Sequence, residues 1–525
     1  MKVTSIGHAG FHIETAAGTV LCDPWVTPAY FASWFPFPDN SHLDWAACRS
    51  PDYLYISHLH RDHFDPDHLR ERVSRDTTVL LPCYRTSDLE NALRDLGFRD
   101  FLQLPNAEPV EIGGLRVMIV ALVSPSDGPM GDSLLALDDG HARVLNQNDA
   151  KPVDFGALRR FGSYDAHFLQ FSGANWWPVV YELPEVAKAN FGAAKRANGL
   201  ARAYRYVSEV NARYVVPSAG PPAFLDDDLM RYNDVTEDAS NPFPDHQVFL
   251  RYLARNGKDN GVLMGPGSVL EISGGDCSVT HPGDPLEAYR DKARYLREYA
   301  DRVRRRMREE KESWPVPGVD VLTEIKAWFE PLMKIGNHVC TGVGAQLLLE
   351  ISDASAGEQI VVDFVDREVR PLAGEKCRYR FRIERPLVER LIADHETDWV
   401  NSLFLGMRFV ASRIGPYNEF VYTFFKSLSA EKMTYVEQWY SQQEDEVEEI
   451  QLGGWVVQRR CPHRQADLTY FGEVRGDVLR CTMHGYEFDL TTGRCVTAKN
   501  RRIKARRAVP GQRLASREPY EDPED

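Results

Sequence analysis

Two short loops near one end of the chain constrain it more than any other feature: Cys461-Pro462-His463 and, after seventeen intervening residues, Cys481-Thr482-Met483-His484. Each loop offers one thiolate and one imidazole from a Gly- and strand-rich stretch. Four such ligands suit tetrahedral zinc. Zinc fingers, however, place two cysteines before two histidines, whereas here the types alternate. Alternation suits a [2Fe–2S] cluster in which two thiolates hold one iron and two imidazoles the other, because each loop must then supply one of each.

The flanking Gly485-Tyr486 and Gly493 make this stretch similar to the ferredoxin domains of Rieske oxygenases. The extra loop cysteines of the respiratory-complex type are missing, and Cys495 lies outside both loops. The resemblance implies a low-potential electron carrier without a loop disulfide. Such a cluster passes single electrons, so a second site should receive them. The helical Asp-x2-His-x4-His iron motif of ring-hydroxylating relatives is not found. Its nearest counterpart, Asp394-His395-Glu396 with Asp398, lacks the second histidine and reads as a polar helix start.

A second constellation follows the apolar run DYLYI: Ser57-His58-Leu59-His60-Arg61-Asp62-His63, an HxHxDH pattern. Spacing of i and i+2 turns His58 and His60 the same way for one metal, while Asp62 and His63 face a second close by. Four ligand-type residues in six positions are not explained by core packing. The pattern is that of the metallo-β-lactamase superfamily, whose bridging carboxylate after a later strand corresponds to Asp149 in ARVLNQND. Two departures stand out. The superfamily's next histidine is replaced by SPSDGPMGDS, with Asp127 and Asp132, and its closing histidine by VVPSAGPP. His8, Asp127 and His167 are the residues available to complete the shell. An oxygen-rich, histidine-poor shell favours one or two non-haem iron ions, with zinc or manganese as alternatives.

A chain of 525 residues calls for two to four domains. Short β-rich runs alternate with helical stretches up to about residue 275, a turn-rich passage precedes a charged helix from Leu286 to Trp314, and an amphipathic helix, two strand-like runs and further helices through IADHETDWVNSLFLGMRFV follow. The acidic run QQEDEVEEIQ reads as a linker. The predicted architecture is α+β and multidomain: a metallo-β-lactamase-like αββα sandwich over 1–280, an α+β helical middle domain over 281–430, and a small all-β Rieske domain with a C-terminal tail over 431–525. No repeat is apparent. No stretch approaches about 18 apolar residues, and no export signal opens the chain, which predicts a cytoplasmic, membrane-free protein. Nine thinly spread cysteines agree. A net charge of −15 argues against nucleic acid. The basic stretches Arg302 to Arg308 and Arg501 to Arg507 read as solvated faces.

Together the two constellations resemble the CMP-N-acetylneuraminate hydroxylase family, which couples a Rieske domain to a metallo-β-lactamase-like domain. DPWVTPAYFASWF (23–35), ISHLHRDH (56–63), GDSLLAL, GHARVLNQND, FSGANWWP (171–178), VVPSAG (215–220) and GPGSVLEI (265–272) are similar to family segments in the same order, and the resemblance spans most of 1–430. In the known hydroxylases the Rieske domain comes first; here it comes last. The resemblance implies an O2-dependent monooxygenase in which Cys461, His463, Cys481 and His484 hold the cluster and His58, His60, Asp62, His63 and Asp149 the oxygen-activating iron. The expected partners are an NAD(P)H-dependent reductase, ferredoxin or cytochrome donor, O2, and a small substrate of CMP-sialic-acid-like, amide or amine type; homo-oligomers are compatible. Trp25, Trp34, Trp176 and Trp177 are candidates for an apolar wall shielding the site, or for plain core filling. The competing readings are a metallohydrolase of the lactonase or phosphodiesterase type with a redox-sensing Rieske domain, and a pure electron-transfer protein.

Overall fold

The computed structural model describes all residues except 126–130, 174, 353–356, 443–447, 499–500 and 509–525. Asp127 and half of the acidic run expected as a linker, residues 443–447, therefore lie outside the described residues.

The first unit is two face-packed sheets. One has eight strands, running in space Asp276–Thr280, Val269–Ser273, Lys2–Gly7, Gly10–Thr15, Gly18–Cys22, Tyr53–Tyr55, Thr78–Leu81 and Phe101–Gln103; the other has six, Tyr214–Ser218, Ala166–Gln170, Arg143–Asn148, Asp132–Asp138, Leu115–Leu122 and Val110–Ile112. Period-two geometry explains why these strands read as continuous apolar runs. Val20, Cys22, Tyr55 and Leu80 point into the space between the sheets with Ile119, Leu135, Leu137 and Phe168. Their neighbours Leu21, Leu54, Val79 and Leu81 point outward against Leu69, Leu89 and Leu93 of helices Pro66–Arg72 and Asp88–Asp95. On the far side Met118, Leu134, Ala136 and Leu145 pack on Ala203 and Val207 of helix Glu185–Val210 and on Phe249 and Leu253 of helix His246–Arg255. Each such side chain contributes about 1.5–3 kcal/mol, so both helix layers are obligatory. This is the αββα sandwich.

The charged helix expected from Leu286 to Trp314 is broken: Glu287–Arg290 gives way to Lys292–Glu312 at Asp291, whose side chain accepts from the Arg294 backbone N–H and caps the second piece. Leu296, Tyr299 and Met307 of that piece share a core with Phe35, Phe37 and Leu225 of the sandwich. Its basic face is solvated and laced with i,i+4 pairs such as Arg294–Glu298 and Arg305–Glu309, both 2.9 Å.

The middle unit has a five-stranded sheet in the order Glu368–Pro371, Glu358–Asp363, Gln346–Ser352, Tyr379–Glu384, Phe409–Arg413, covered by helices including Val321–Ile335, Arg385–Ala393, Glu419–Phe425 and Ala430–Ser441. One expectation fails here. The stretch ending GMRFV does not stay helical: Met407 takes φ +56°, ending the turn, and Phe409 and Ala411 enter the core as alternate residues of an edge strand.

The C-terminal unit is all β, with two three-stranded sheets: Glu449–Leu452, Trp455–Gln458, Ala505–Arg507 and Gly472–Arg475, Val478–Cys481, Tyr486–Asp489. It is not tethered at a distance. Phe471 packs on Phe155 and Tyr206 of the sandwich, and helix Glu185–Val210 reaches across with Arg202 to the Met483 carbonyl (3.0 Å) and Arg205 to the Tyr470 carbonyl (2.6 Å). Arg501 corrects the reading of its basic run as solvent-facing: its side chain is 11 % exposed and ion-paired to Glu419 of the middle unit. No helix among the described residues is long and apolar enough to cross a membrane.

Candidate metal centres

All five residues read from HxHxDH and ARVLNQND meet at one edge of the sandwich. His58 to His63 follow strand Tyr53–Tyr55, and Asp149 follows strand Arg143–Asn148. Two groups form, each with its ligand atoms mutually within 4.8 Å: His58, His60 and Asp149, and His8, Asp62 and His63. Asp149 Oδ1 is 3.4 Å from His63 Nε2, so the carboxylate stands between the groups. His8 sits in the tight turn between the first two strands at φ +52°, a conformation a non-glycine residue adopts at a cost, and aims Nε2 at Asp62 Oδ2 (2.8 Å). Asp132, at the start of its strand, lies 3.5 Å from His58 Nδ1. His167 stands apart: its Nε2 bonds Gln147 Oε1 at 2.9 Å, and burial holds its pKa down at about 3, making it a neutral core histidine.

The electrostatics of this edge are those of a cation site. Buried atoms of His8 (Nδ1), His63 (Nε2), Asp132 (Oδ1) and Asp149 (Oδ1) have no hydrogen-bond partner, which is costly unless something else satisfies them. Burial and the facing Asp149 push the Asp132 carboxyl up to about 7, with His63, Lys151 and Arg464 opposing. Burial, then the neighbouring His63 and His60, hold His58 well below the ordinary imidazole value, so it is neutral and free to ligate. Burial alone would raise Asp62, but His63 and His8 overcome it and keep the carboxylate ionised. The donor set fits divalent metal, with more carboxylate than the histidine-rich pattern of a zinc pair.

An outer layer fixes these ligands, and most of it was not read from sequence. Asp23 accepts from His63 Nδ1 (2.8 Å), the Ser57 backbone N–H (2.7 Å) and the Ser57 hydroxyl (2.6 Å); its place in the DPW segment was the available signal. The Tyr30 hydroxyl donates to Asp62 at 2.5 Å. His60 Nε2 is 2.8 Å from Asn401 Oδ1, and Asp398 holds the Asn401 amide at 2.8 Å, so the middle unit orients a ligand of the first. Asn401→Leu is expected to weaken metal binding at the His58/His60/Asp149 group about 10- to 100-fold, the usual effect of removing an orienting partner; titration of the metal-free protein checks it. Of the four tryptophans, Trp25 packs its edge on His8 and Trp34 lines the cavity beside His60 and Asp149, whereas Trp176 and Trp177 pack against the middle unit's core.

The C-terminal loops converge as well. Cys461 and Cys481 are buried and hydrogen-bonded to one another; backbone N–H groups of His463 and Arg464 face the first sulfur and those of Met483 and His484 the second. The rings of His463 and His484 lie 5.0 Å apart at 90°. His463 is sandwiched: Tyr486 stacks on it at 4.0 Å, and Glu419 Oε2 is 3.3 Å from its Nε2. Two thiols backed by N–H donors and a pair of adjacent imidazoles suit a [2Fe–2S] cluster.

The two sites adjoin within one chain. Asp467 N–H donates to the Val153 carbonyl (3.0 Å) and Arg460 pairs with Asp154 (3.3 Å), tying the Cys461 loop to the segment that directly follows Asp149. The buried Arg464 approaches His484 Nε2 at 3.4 Å and also acts electrostatically on Asp132.

Three family models match the chain. Residues 2–133 match the family model described as a beta-lactamase superfamily domain, 321–442 the Rv3818-like, SCP2-like domain, and 438–506 the Rieske [2Fe-2S] domain. A protein of Mycolicibacterium smegmatis and one of Mycobacterium tuberculosis, both bearing the name Rieske 2Fe-2S iron-sulfur protein, are 47% identical over 97% of this chain and 100% of their own length. The cytidine monophosphate-N-acetylneuraminic acid hydroxylase of Cricetulus griseus is 25% identical over 235 residues, 42% of this chain and 40% of the hydroxylase, a narrower span than the expected 1–430. Among solved structures, CmlA, a diiron beta-hydroxylase from Streptomyces venezuelae, is 18% identical with a TM-score of 0.36, covering 53% of this chain and 54% of that one. The chain thus belongs to the family of these mycobacterial Rieske 2Fe-2S iron-sulfur proteins, in which a metallo-β-lactamase-like domain related to that of the CMP-N-acetylneuraminate hydroxylases is joined to an SCP2-like domain and a C-terminal Rieske domain.

Proposed function

We propose that the protein is a Rieske-coupled non-haem iron oxygenase that hydroxylates a small substrate at the His58/His60/Asp149 and His8/Asp62/His63 groups. When bound, the [2Fe–2S] cluster supplies single electrons and iron at the second site supplies oxygen activation. The chain's own residues prepare both ends. Cys461, His463, Cys481 and His484 hold the cluster; Asp149 and Asp132 bring negative charge to the acceptor site; Tyr30 holds its hydroxyl proton on Asp62; and Asn401 and Asp23 lock the rings of His60 and His63.

The observation that supports this reading most is the seam itself. The Cys461 loop is hydrogen-bonded to Val153, four residues beyond Asp149, with Arg464 between the two sites. A sensor or docking domain has no need of that proximity, and electron transfer needs neither a long tether nor a second subunit. The donor would be an NAD(P)H-dependent reductase, a ferredoxin or a cytochrome.

Metal analysis with O2-uptake measurements tests the proposal. Iron beyond the cluster's own, and O2 consumption that requires an electron donor and disappears in Cys461→Ala while the second site keeps its metal, are expected. Full zinc occupancy with no O2 uptake would sink it. Hydrolysis of a model phosphodiester without reductant, unchanged in Cys461→Ala, would favour the metallohydrolase.

A further inference from the structure

A cleft of about 640 Å³ opens between the sandwich and the middle unit, with Tyr30 and His60 on its wall. Both touch the candidate metal groups, Tyr30 through Asp62 and His60 as a member. The cleft therefore leads to the proposed reacting centre.

Among the described residues three cations line it, and two are already committed. Arg390 is held by Asp394 (3.2 Å) and the Ser313 carbonyl. Lys432 donates to Thr397 Oγ1 (2.8 Å) and faces Asp88 at 3.6 Å. Only Arg61 remains, and it acts electrostatically on two carboxylates that also line the cleft, Glu310 and Glu396. Burial pushes both carboxyls above their ordinary value, with Asp398 adding to the effect on Glu396; Arg306, the Ala32 N–H, Arg408 and Arg61 offset it only in part at Glu310, as do the Asp398 N–H, Lys432 and Arg61 at Glu396. Six carboxylates (Asp67, Asp88, Glu310, Asp394, Glu396 and Asp398) line the cleft against those three cations, so it is short of positive charge. A nucleotide sugar, with a phosphate and a carboxylate, would meet one free guanidinium and a carboxylate surplus, a like-charge juxtaposition that disfavours it. A protonated amine would meet the opposite, and the rings of Phe31, Tyr84 and Trp314, which also line the cleft, suit an apolar body attached to it.

We infer that the cleft selects a substrate bearing a protonated amine on an apolar or aromatic body, and carrying no phosphate, with Glu396 and Glu310 as its counter-charges. The inference rests on the oxygenase reading only in taking the His60 end of the cleft as the reacting end, so its test is binding rather than turnover. Titrations of the metal-loaded full-length protein with 2-phenylethylamine, 3-phenylpropionate and CMP compare a cationic, an anionic and a nucleotide probe. Amine binding at millimolar concentration, weakened about five- to tenfold in Glu396→Gln and in Glu310→Gln and strengthened in Arg61→Gln, is expected, with the two anions failing to bind. Equal or tighter binding of CMP or 3-phenylpropionate, no amine binding, or amine affinity unchanged in both Gln variants would overturn it. Amine binding by a protein found with full zinc occupancy and no donor-dependent O2 uptake would leave this inference standing and sink the oxygenase reading. Uptake driven by an anionic substrate would do the reverse.

Discussion

Glu419→Ala is expected to destabilise the protein by about 3–5 kcal/mol, because it strips the partner from a buried charge. Glu419 is 4 % exposed in its side chain and paired with Arg501, itself 11 % exposed, at the seam between the middle and Rieske units. The same carboxylate faces His463 Nε2 at 3.3 Å, so its loss also frees a cluster ligand. Chemical denaturation followed by circular dichroism measures the first effect. The paired replacement Glu419→Met with Arg501→Met should recover most of the loss, since an apolar pair of similar volume avoids the desolvation cost; a double variant as unstable as the single one would show that the ion pair is not the cause. Glu419→Gln separates structure from tuning. It keeps the shape but removes the charge that makes His463 more electron-donating, so the cluster's reduction potential at fixed pH should rise. An unchanged potential would reduce Glu419 to a structural role.

Asp149→Ala should empty the candidate metal site while sparing the cluster. Its carboxylate belongs to the His58/His60/Asp149 group and approaches His63 of the other, so one substitution removes a ligand from both. Metal affinity is expected to fall more than about 100-fold, beyond the loss from removing an orienting partner, with the cluster's visible absorbance intact and donor-dependent O2 uptake abolished. The metal-free protein should lose no stability, because the departing carboxylate faces the buried Asp132 and pushes its pKa up. Parallel measurements of metal content, absorbance and thermal midpoint check all three. Retention of full metal by the variant would remove Asp149 from the site.

These outcomes also show how far local pattern reaches. Ligands spaced within a few residues were legible: HxHxDH presents His58, His60, Asp62 and His63 from a single strand end, and alternation of Cys and His identified the cluster loops. His8 was legible only as an option, because nothing in GHAGFHI says that its turn folds onto Asp62. Asp132 stood beside Asp127 with nothing to favour it until its strand placed it 3.5 Å from His58. Asn401 and Glu419 were invisible. Asn401 is 341 residues from the His60 it orients, and a hydrogen bond across that separation leaves no periodic trace. The GMRFV error has the same origin: its apolar spacing fits a helix as well as a strand, and only pairing with Tyr379–Glu384 decides between them.

The sequence by itself determined the residue types of the two candidate centres, two cysteines and two histidines in alternating loops and a carboxylate-rich HxHxDH edge on an αββα sandwich, because these depend on residue type and on spacing within one strand or loop. Only the tertiary structure decided that the two centres adjoin. The Rieske unit follows the sandwich by more than a domain's length of chain, and it is the packing of Phe471 on Phe155 and Tyr206, the Asp467–Val153 hydrogen bond and the buried Glu419–Arg501 pair that fold it back onto the segment after Asp149. Such contacts are set by shape and charge complementarity between distant surfaces, which no local pattern encodes.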